Sequence, residues 1–162
     1  MTVTAGTLLG LLDAPMAAAS AADLADPAAA RAALHVAFPP EGEAGRALRA
    51  ALLEAVGAGV ICDRGKDPVR WSRLAKPDAT PHGLSADFVW MAGPGIPHRH
   101  PRGEVNLCFA VEGEPRFDGQ PEGWVVFPPG SGHVPTVSDG RMLICYFLPG
   151  GEVEWTAGPG KG

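Results

Sequence analysis

Residues 93–104 read Gly93-Pro94-Gly95-Ile96-Pro97-His98-Arg99-His100-Pro101-Arg102-Gly103-Glu104. On an extended chain, side chains at i and i+2 point to one face, so His98 and His100 stand together. The carboxylate of Glu104 follows four residues later. A second stretch reads Gly123-Trp124-Val125-Val126-Phe127-Pro128-Pro129-Gly130-Ser131-Gly132-His133, where a histidine leaves a glycine turn after a β-prone run. Three imidazoles and one carboxylate suit a borderline divalent cation such as Zn, Fe, Ni, Mn or Cu. Neutral imidazoles donate nitrogen lone pairs, and the carboxylate offsets part of the ion's charge.

Outward from these segments, residues 60–162 alternate short β-prone runs with turn clusters. Strands are predicted over Val69–Leu74, Ala86–Met91, Val105–Val111, Trp124–Phe127, Val134–Val137, Met142–Leu148 and Val153–Trp155. The separators are Gly93-Pro94-Gly95, Asp118-Gly119, Pro128-Pro129-Gly130 and Asp139-Gly140. Such spacing predicts a β-sandwich or barrel.

Residues 1–59 have a different texture, rich in Ala and Leu. Asp26 as N-cap and Pro27 at the first helical position predict a helix over Ala28–Ala37, ended by Pro39-Pro40. Leu48, Leu52, Leu53 and Val56 form an apolar stripe on a helix over Ala44–Val56, and a short helix is expected around Leu8–Leu12. These helices carry no chemical pattern and read as cover for the sheet or as a subunit contact. One structural domain is expected, with residues 1–59 as a helical extension and 60–162 as the barrel.

Composition narrows the function. With 46% hydrophobic residues in a chain of 162, a packed core is feasible. The 13 Lys and Arg against 18 Asp and Glu give a net charge of −5, without the basic surface that sequence-independent nucleic-acid binding requires. The first basic residue is Arg31, too late for a secretory signal, and no apolar run spans a bilayer. Cys62, Cys108 and Cys145 cannot all pair within one chain. The expectation is a cytoplasmic protein that binds neither nucleic acid nor membrane.

The two histidine segments resemble the paired motifs of cupins. All four ligand positions are kept, with closing Asn of the second motif replaced by Val137. This implies a mainly β, double-stranded β-helix (jelly-roll) barrel carrying an N-terminal α-helical extension. A narrower resemblance runs from Leu84 to Trp155. It rests on Ser85-Ala86-Asp87-Phe88-Val89-Trp90, His98-Arg99-His100-Pro101, Gly103-Glu104-Val105-Asn106-Leu107-Cys108-Phe109, Pro115-Arg116-Phe117-Asp118-Gly119 and Pro128-Pro129-Gly130-Ser131 with His133-Val134-Pro135-Thr136-Val137. These residues are similar to those of the 4-hydroxylaminobenzoate lyase family.

That resemblance implies conversion of 4-hydroxylaminobenzoate to 3,4-dihydroxybenzoate (protocatechuate) and ammonia in nitroaromatic degradation. The cofactor expected is one divalent transition metal ion, iron, manganese, zinc or nickel, on His98, His100, Glu104 and His133. Glu104 and Tyr146 are the candidate catalytic residues. For a small aromatic carboxylate substrate, Arg116 is the candidate carboxylate grip, with Asn106 and Trp90 also binding substrate. Arg70 and Arg73 are expected to be exposed. A homodimer is expected, since cupins are commonly dimers and the apolar helical face supplies material for one. Another small-cupin enzyme, an iron oxygenase or an isomerase, and a non-catalytic metal- or ligand-binding cupin are the alternatives.

Overall fold

A computed structural model describes residues 2–156; residues 157–162 of the expected barrel segment lie outside it. Three helices precede the strands: α1 (Ala5–Ala21), α2 (Pro27–Ala37) and α3 (Glu43–Gly57). Asp26 accepts the amide of Ala29 at 3.3 Å, which caps α2 behind Pro27. Helix α1 is far longer than the expected Leu8–Leu12 turn. Leu8, Leu12, Met16 and Ala19 form a buried stripe along it, so packing carries the helix past Pro15.

Nine strands follow: β1 (Arg64–Lys66), β2 (Val69–Ala75), β3 (Leu84–Pro94), β4 (His98–His100), β5 (Glu104–Phe117), β6 (Gly123–Phe127), β7 (Ser131–His133), β8 (Thr136–Pro149) and β9 (Glu154–Trp155). They make a six-stranded sheet in the order β1-β2-β3-β8-β5-β6 and a three-stranded sheet in the order β7-β4-β9. All pairings are antiparallel. The fold is the mainly β, cupin-like one expected, with a helical start.

Alternation along the large sheet divides the interior in two. One face presents Phe88, Val105, Leu107, Phe109, Trp124, Leu143, Cys145 and Phe147 to the helices. The other face turns Met91, Cys108, Val125, Met142, Ile144 and Tyr146 toward the small sheet. Leu48 and Leu52 of the α3 stripe are fully buried in the first of these cores. Val56 is buried with them, and Leu53 is half-buried against the same core. Polar bonds fix the helical layer: Arg31 Nε donates to Trp124 O at 2.7 Å, and Trp124 Nε1 donates to Phe38 O at 2.9 Å. No described helix is long and apolar enough to cross a membrane.

The expected separator Asp139-Gly140 is not a turn. Strand β8 runs on through Asp139-Gly140, and β5 runs on through Gly113, with register shifts in their pairing. The reason is close backbone contact: a Cβ on Gly140 would sit 2.0 Å from Glu112 O, and one on Gly113 2.6 Å from Asp139 O. The glycines let two long strands bend together across this point. The expected strand over Val134–Val137 begins instead at Thr136, as the first residue of β8.

Candidate metal centre

Strand β4 carries His98 and His100 on one face, both buried. His133, at the end of β7, stands directly opposite His98 in the ladder. Glu104 opens β5 and is fully buried. The connection from His100 to Glu104 is a tight turn in which Gly103 N–H donates to His100 O at 3.2 Å. Gly103 has φ of +88°, and a Cβ there would lie 2.9 Å from Leu24 Cδ1 and 3.1 Å from Phe127 O. Only glycine fits, and the turn delivers the carboxylate beneath the two imidazoles.

Four potential ligand atoms lie within 4.8 Å of one another. His133 Nε2 is 3.1 Å from His98 Nε2 and 3.3 Å from His100 Nε2. Glu104 Oε2 is 3.5 Å from His133 Nε2, 3.9 Å from His98 Nε2, and in direct contact with His100 Nε2.

The tautomers show what this convergence needs. His98 Nδ1 lies 2.9 Å from Ile96 O, an acceptor only, so Nδ1 carries the proton and Nε2 turns a lone pair inward. His133 Nδ1 is held by the Asp118 carboxylate, with the same consequence in the neutral ring. With both rings neutral, lone pairs facing each other at 3.1 Å repel unless a proton or a metal ion lies between them. Donors about 2.1 Å from one ion and at right angles to each other sit about 3 Å apart, close to the spacing seen. The four residues therefore fit a divalent transition metal ion.

Electrostatics agree with that donor set. Burial works against charge on Glu104, but the imidazoles of His100, His133 and His98 around it hold its carboxyl well below the usual carboxylate range. Burial likewise opposes charge on His133, yet Asp118 and Glu104 raise its pKa to about 9. The thiols have no such support. Burial pushes Cys62 up to about 12, and it pushes Cys108 and Cys145 well above their ordinary value.

A cavity of about 480 Å³ opens beside the cluster and is lined by His98 and His100, by Tyr146, and by Trp71, Val89, Met91, Ile96, Leu148, Val153 and Trp155. Its walls are mainly apolar. Burial, and then the charge of Glu104, hold the Tyr146 phenol well above its usual pKa, so it keeps its proton. Asn106 is buried on the same face, where Nδ2 donates to Val125 O at 3.3 Å and Oδ1 has no partner.

None of the three expected substrate contacts lines this cavity: Asn106 lies on its side of the sheet, and Arg116 and Trp90 point elsewhere. Arg116 is exposed, donates to Gly119 O at 3.3 Å, and lines a separate polar cleft with Glu114, Glu122 and Asp139. Its neighbour Phe117 takes the inward direction and packs 6.1 Å from the His133 ring. Trp90 lies on the opposite face from Val89 and Met91, under the guanidinium groups of Arg70 and Arg141. Conversely, Arg73 is exposed as expected, with 38% of its side chain in solvent, and it lines the cavity, ion-paired with Asp87. Asp118 was legible only as a turn residue; its φ of +48° suits that turn and aims its carboxylate at His133.

Comparison with known proteins agrees with the fold. The family model described as PnbB, 4-hydroxylaminobenzoate lyase, matches residues 17–155, including α2 and α3 as well as the strands. A 4-hydroxylaminobenzoate lyase of Pseudomonas putida is 30% identical, the match covering 53% of this chain and 58% of the relative. Another from Nocardioides sp. (strain LMS-CY) is 30% identical, over 56% of this chain and 58% of the relative. The match thus spans less than two thirds of the length of these curated relatives. Among solved structures, the DMSP lyase DddQ from Ruegeria pomeroyi DSS-3 covers 90% of this chain and 78% of its own, at 23% identity and a TM-score of 0.50. That last likeness is one of fold.

Proposed function

The chain belongs to the 4-hydroxylaminobenzoate lyase family, and from that premise we propose that it is a metal-dependent lyase converting 4-hydroxylaminobenzoate to 3,4-dihydroxybenzoate and ammonia. The observation that carries this reading is the adjacency of the three-histidine, one-glutamate cluster to an apolar cavity with the volume for a single aromatic ring and its substituents. We place the activity in nitroaromatic degradation.

The reaction balances without an external oxidant. Substrate plus one water gives the diol and ammonia; nitrogen is reduced while the ring is oxidised. The N–O bond must break, water must add to the ring carbon beside the one bearing nitrogen, and hydrolysis of the resulting imine must release ammonia. A divalent ion held by His98, His100, Glu104 and His133 supplies Lewis acidity for such chemistry without a change of valence.

The protein's own groups have distinct tasks in this scheme. Glu104 stays ionised and serves as ligand, so it is not the proton donor. Tyr146, kept protonated by burial, delivers a proton to the departing hydroxyl oxygen. Asp118 fixes the His133 ring from behind. Val89, Met91, Ile96 and Leu148 wall the ring and limit the water that reaches it.

The deciding experiment is anaerobic incubation of the metal-loaded protein with 4-hydroxylaminobenzoate, following ammonia and diol together. Equal amounts of both are expected without oxygen. A strict need for oxygen, or no turnover, would reject the lyase reading.

A further inference from the structure

Resting on the lyase reading above, we propose that Arg73 is the anchor for the carboxylate of the substrate, and that Asp87 both holds its guanidinium in place and competes with the ligand for it.

The register of the large sheet places these groups in one row. Arg73 pairs with Asp87 across β2 and β3, Asp87 with Tyr146 across β3 and β8, and Tyr146 with Asn106 across β8 and β5. Directly paired residues share a face. The row therefore runs along the concave side, from the strand that carries Glu104 to the far edge of the cavity. Three interstrand steps of about 4.8 Å put the Cα of Arg73 roughly 14 Å from that of Asn106.

A para-substituted benzoate is about 6 Å from its carboxylate carbon to the para nitrogen. A hydrogen bond at one end and a metal contact at the other set the donor on the order of 9 to 11 Å from the cation. An arginine reaching inward from β2 has the length to close that difference. Among the described residues lining the cavity, Arg73 is the only lysine or arginine.

The guanidinium is held in one orientation. Nε donates to Asp87 Oδ1 at 2.6 Å, and Nη2 donates to Asp87 Oδ2 at 3.1 Å and to Gly151 O at 3.3 Å. Asp87 is itself fixed, since Ser85 Oγ donates to its Oδ2 at 3.0 Å. Of the five N–H donors of a guanidinium, the two on Nη1 have no acceptor among the described residues. They are free for an incoming carboxylate, on a group that is already ordered. The apolar walls between the Arg73–Asp87 pair and the histidines suit the ring that joins the two ends.

Asp87 gives the proposal a signature that a plain surface ion pair lacks. It neutralises Arg73 in the free protein, so removing its charge leaves the guanidinium more attractive to an anion.

The test compares 3,4-dihydroxybenzoate with catechol, which differs only in lacking the carboxylate, by calorimetric titration of the metal-loaded protein. Wild type is expected to bind the benzoate more tightly by about ten- to a hundred-fold, the worth of a charge-assisted contact. Arg73→Gln should abolish that preference and leave catechol affinity unchanged. Asp87→Asn should enlarge it by about threefold or more. A preference that survives Arg73→Gln overturns the anchor, as does a wild type that shows no preference or binds neither ligand. If Arg73→Gln does not fold, Asp87→Asn decides alone, and an unchanged or smaller preference overturns the proposal. Turnover of 4-hydroxylaminobenzoate separates this from the lyase reading. Carboxylate selectivity without turnover rejects the reaction and keeps the anchor; turnover with selectivity indifferent to Arg73 rejects the anchor alone.

Discussion

Asp118 stands directly behind His133: its Oδ2 takes Nδ1 of the imidazole while its Oδ1 accepts the Thr136 amide at 2.8 Å. The second bond fixes the carboxylate, and the first fixes the ring and its tautomer. Asp118→Asn keeps the shape but loses the charge and allows the wrong tautomer. Metal affinity should fall about 10- to 100-fold, the usual cost of losing such a partner. Chelator competition measures it, with far-UV circular dichroism as the folding control. Unchanged affinity would mean that the cation does not bind through His133 Nε2.

Proton and metal compete for His133. In the metal-free protein its pKa is about 9, burial opposing the charge and Asp118 and Glu104 outweighing burial. A ligand imidazole must be neutral, so metal uptake below pH 9 displaces this proton. Apparent affinity should climb about tenfold per pH unit from pH 7 and level off near pH 9. Stability of the metal-free protein runs the other way. The folded pKa lies above the unfolded value of about 6.5, so this contribution is complete below pH 6.5 and is lost as pH rises through 9. Thermal scans with chelator and with saturating metal, from pH 6.5 to 9.5, should show opposite trends. Parallel trends would contradict the assignment.

Leu52 tests whether the helical layer is structural cover alone. It is fully buried in α3 against the outer face of the sheet. Leu52→Ala should cost about 2 to 5 kcal/mol in denaturant unfolding. The metal-binding cluster contains no residue before His98, so metal content per folded protein should not change. A loss of metal at full folding would show that the helices shape the cluster.

The four-residue cluster was readable because sequence proximity places most of it. His98, His100 and Glu104 fall within seven residues, and one glycine turn brings His133 opposite His98. Residues whose facing depends on the whole sheet were not readable. Between Ala110 and Arg116 the pairing of β5 with β8 shifts register twice, so alternation from Glu104 does not carry through this stretch, and Arg116 turns outward while Phe117 turns in. Alternation in β2 set Arg73 apart from Ser72 and Leu74, but which set faces the cavity follows only from pairing with β3. Trp90 failed on the same ground, as aromatic character says nothing about which face is concave. Asp118-Gly119 was recognised as a turn, and turn chemistry concealed the contact to a histidine fifteen residues away.

Tyr146 offers the sharpest division between binding and chemistry. Its ring lines the cavity, pairs across the strands with both Asp87 and Asn106, and packs edge-on at 6.1 Å from Phe117. Its hydroxyl has no protein partner among the described residues, which leaves it available to a ligand. Tyr146→Phe removes that oxygen and keeps the ring in place. If the phenol donates the proton that lets the N–O bond break, kcat should fall about 10²- to 10⁴-fold. Affinity for 3,4-dihydroxybenzoate should change far less, since the cation and the ring walls remain. Rapid-quench turnover of 4-hydroxylaminobenzoate beside product titration measures both. A variant with wild-type kcat and weakened binding would make Tyr146 a substrate contact and move the proton to another group.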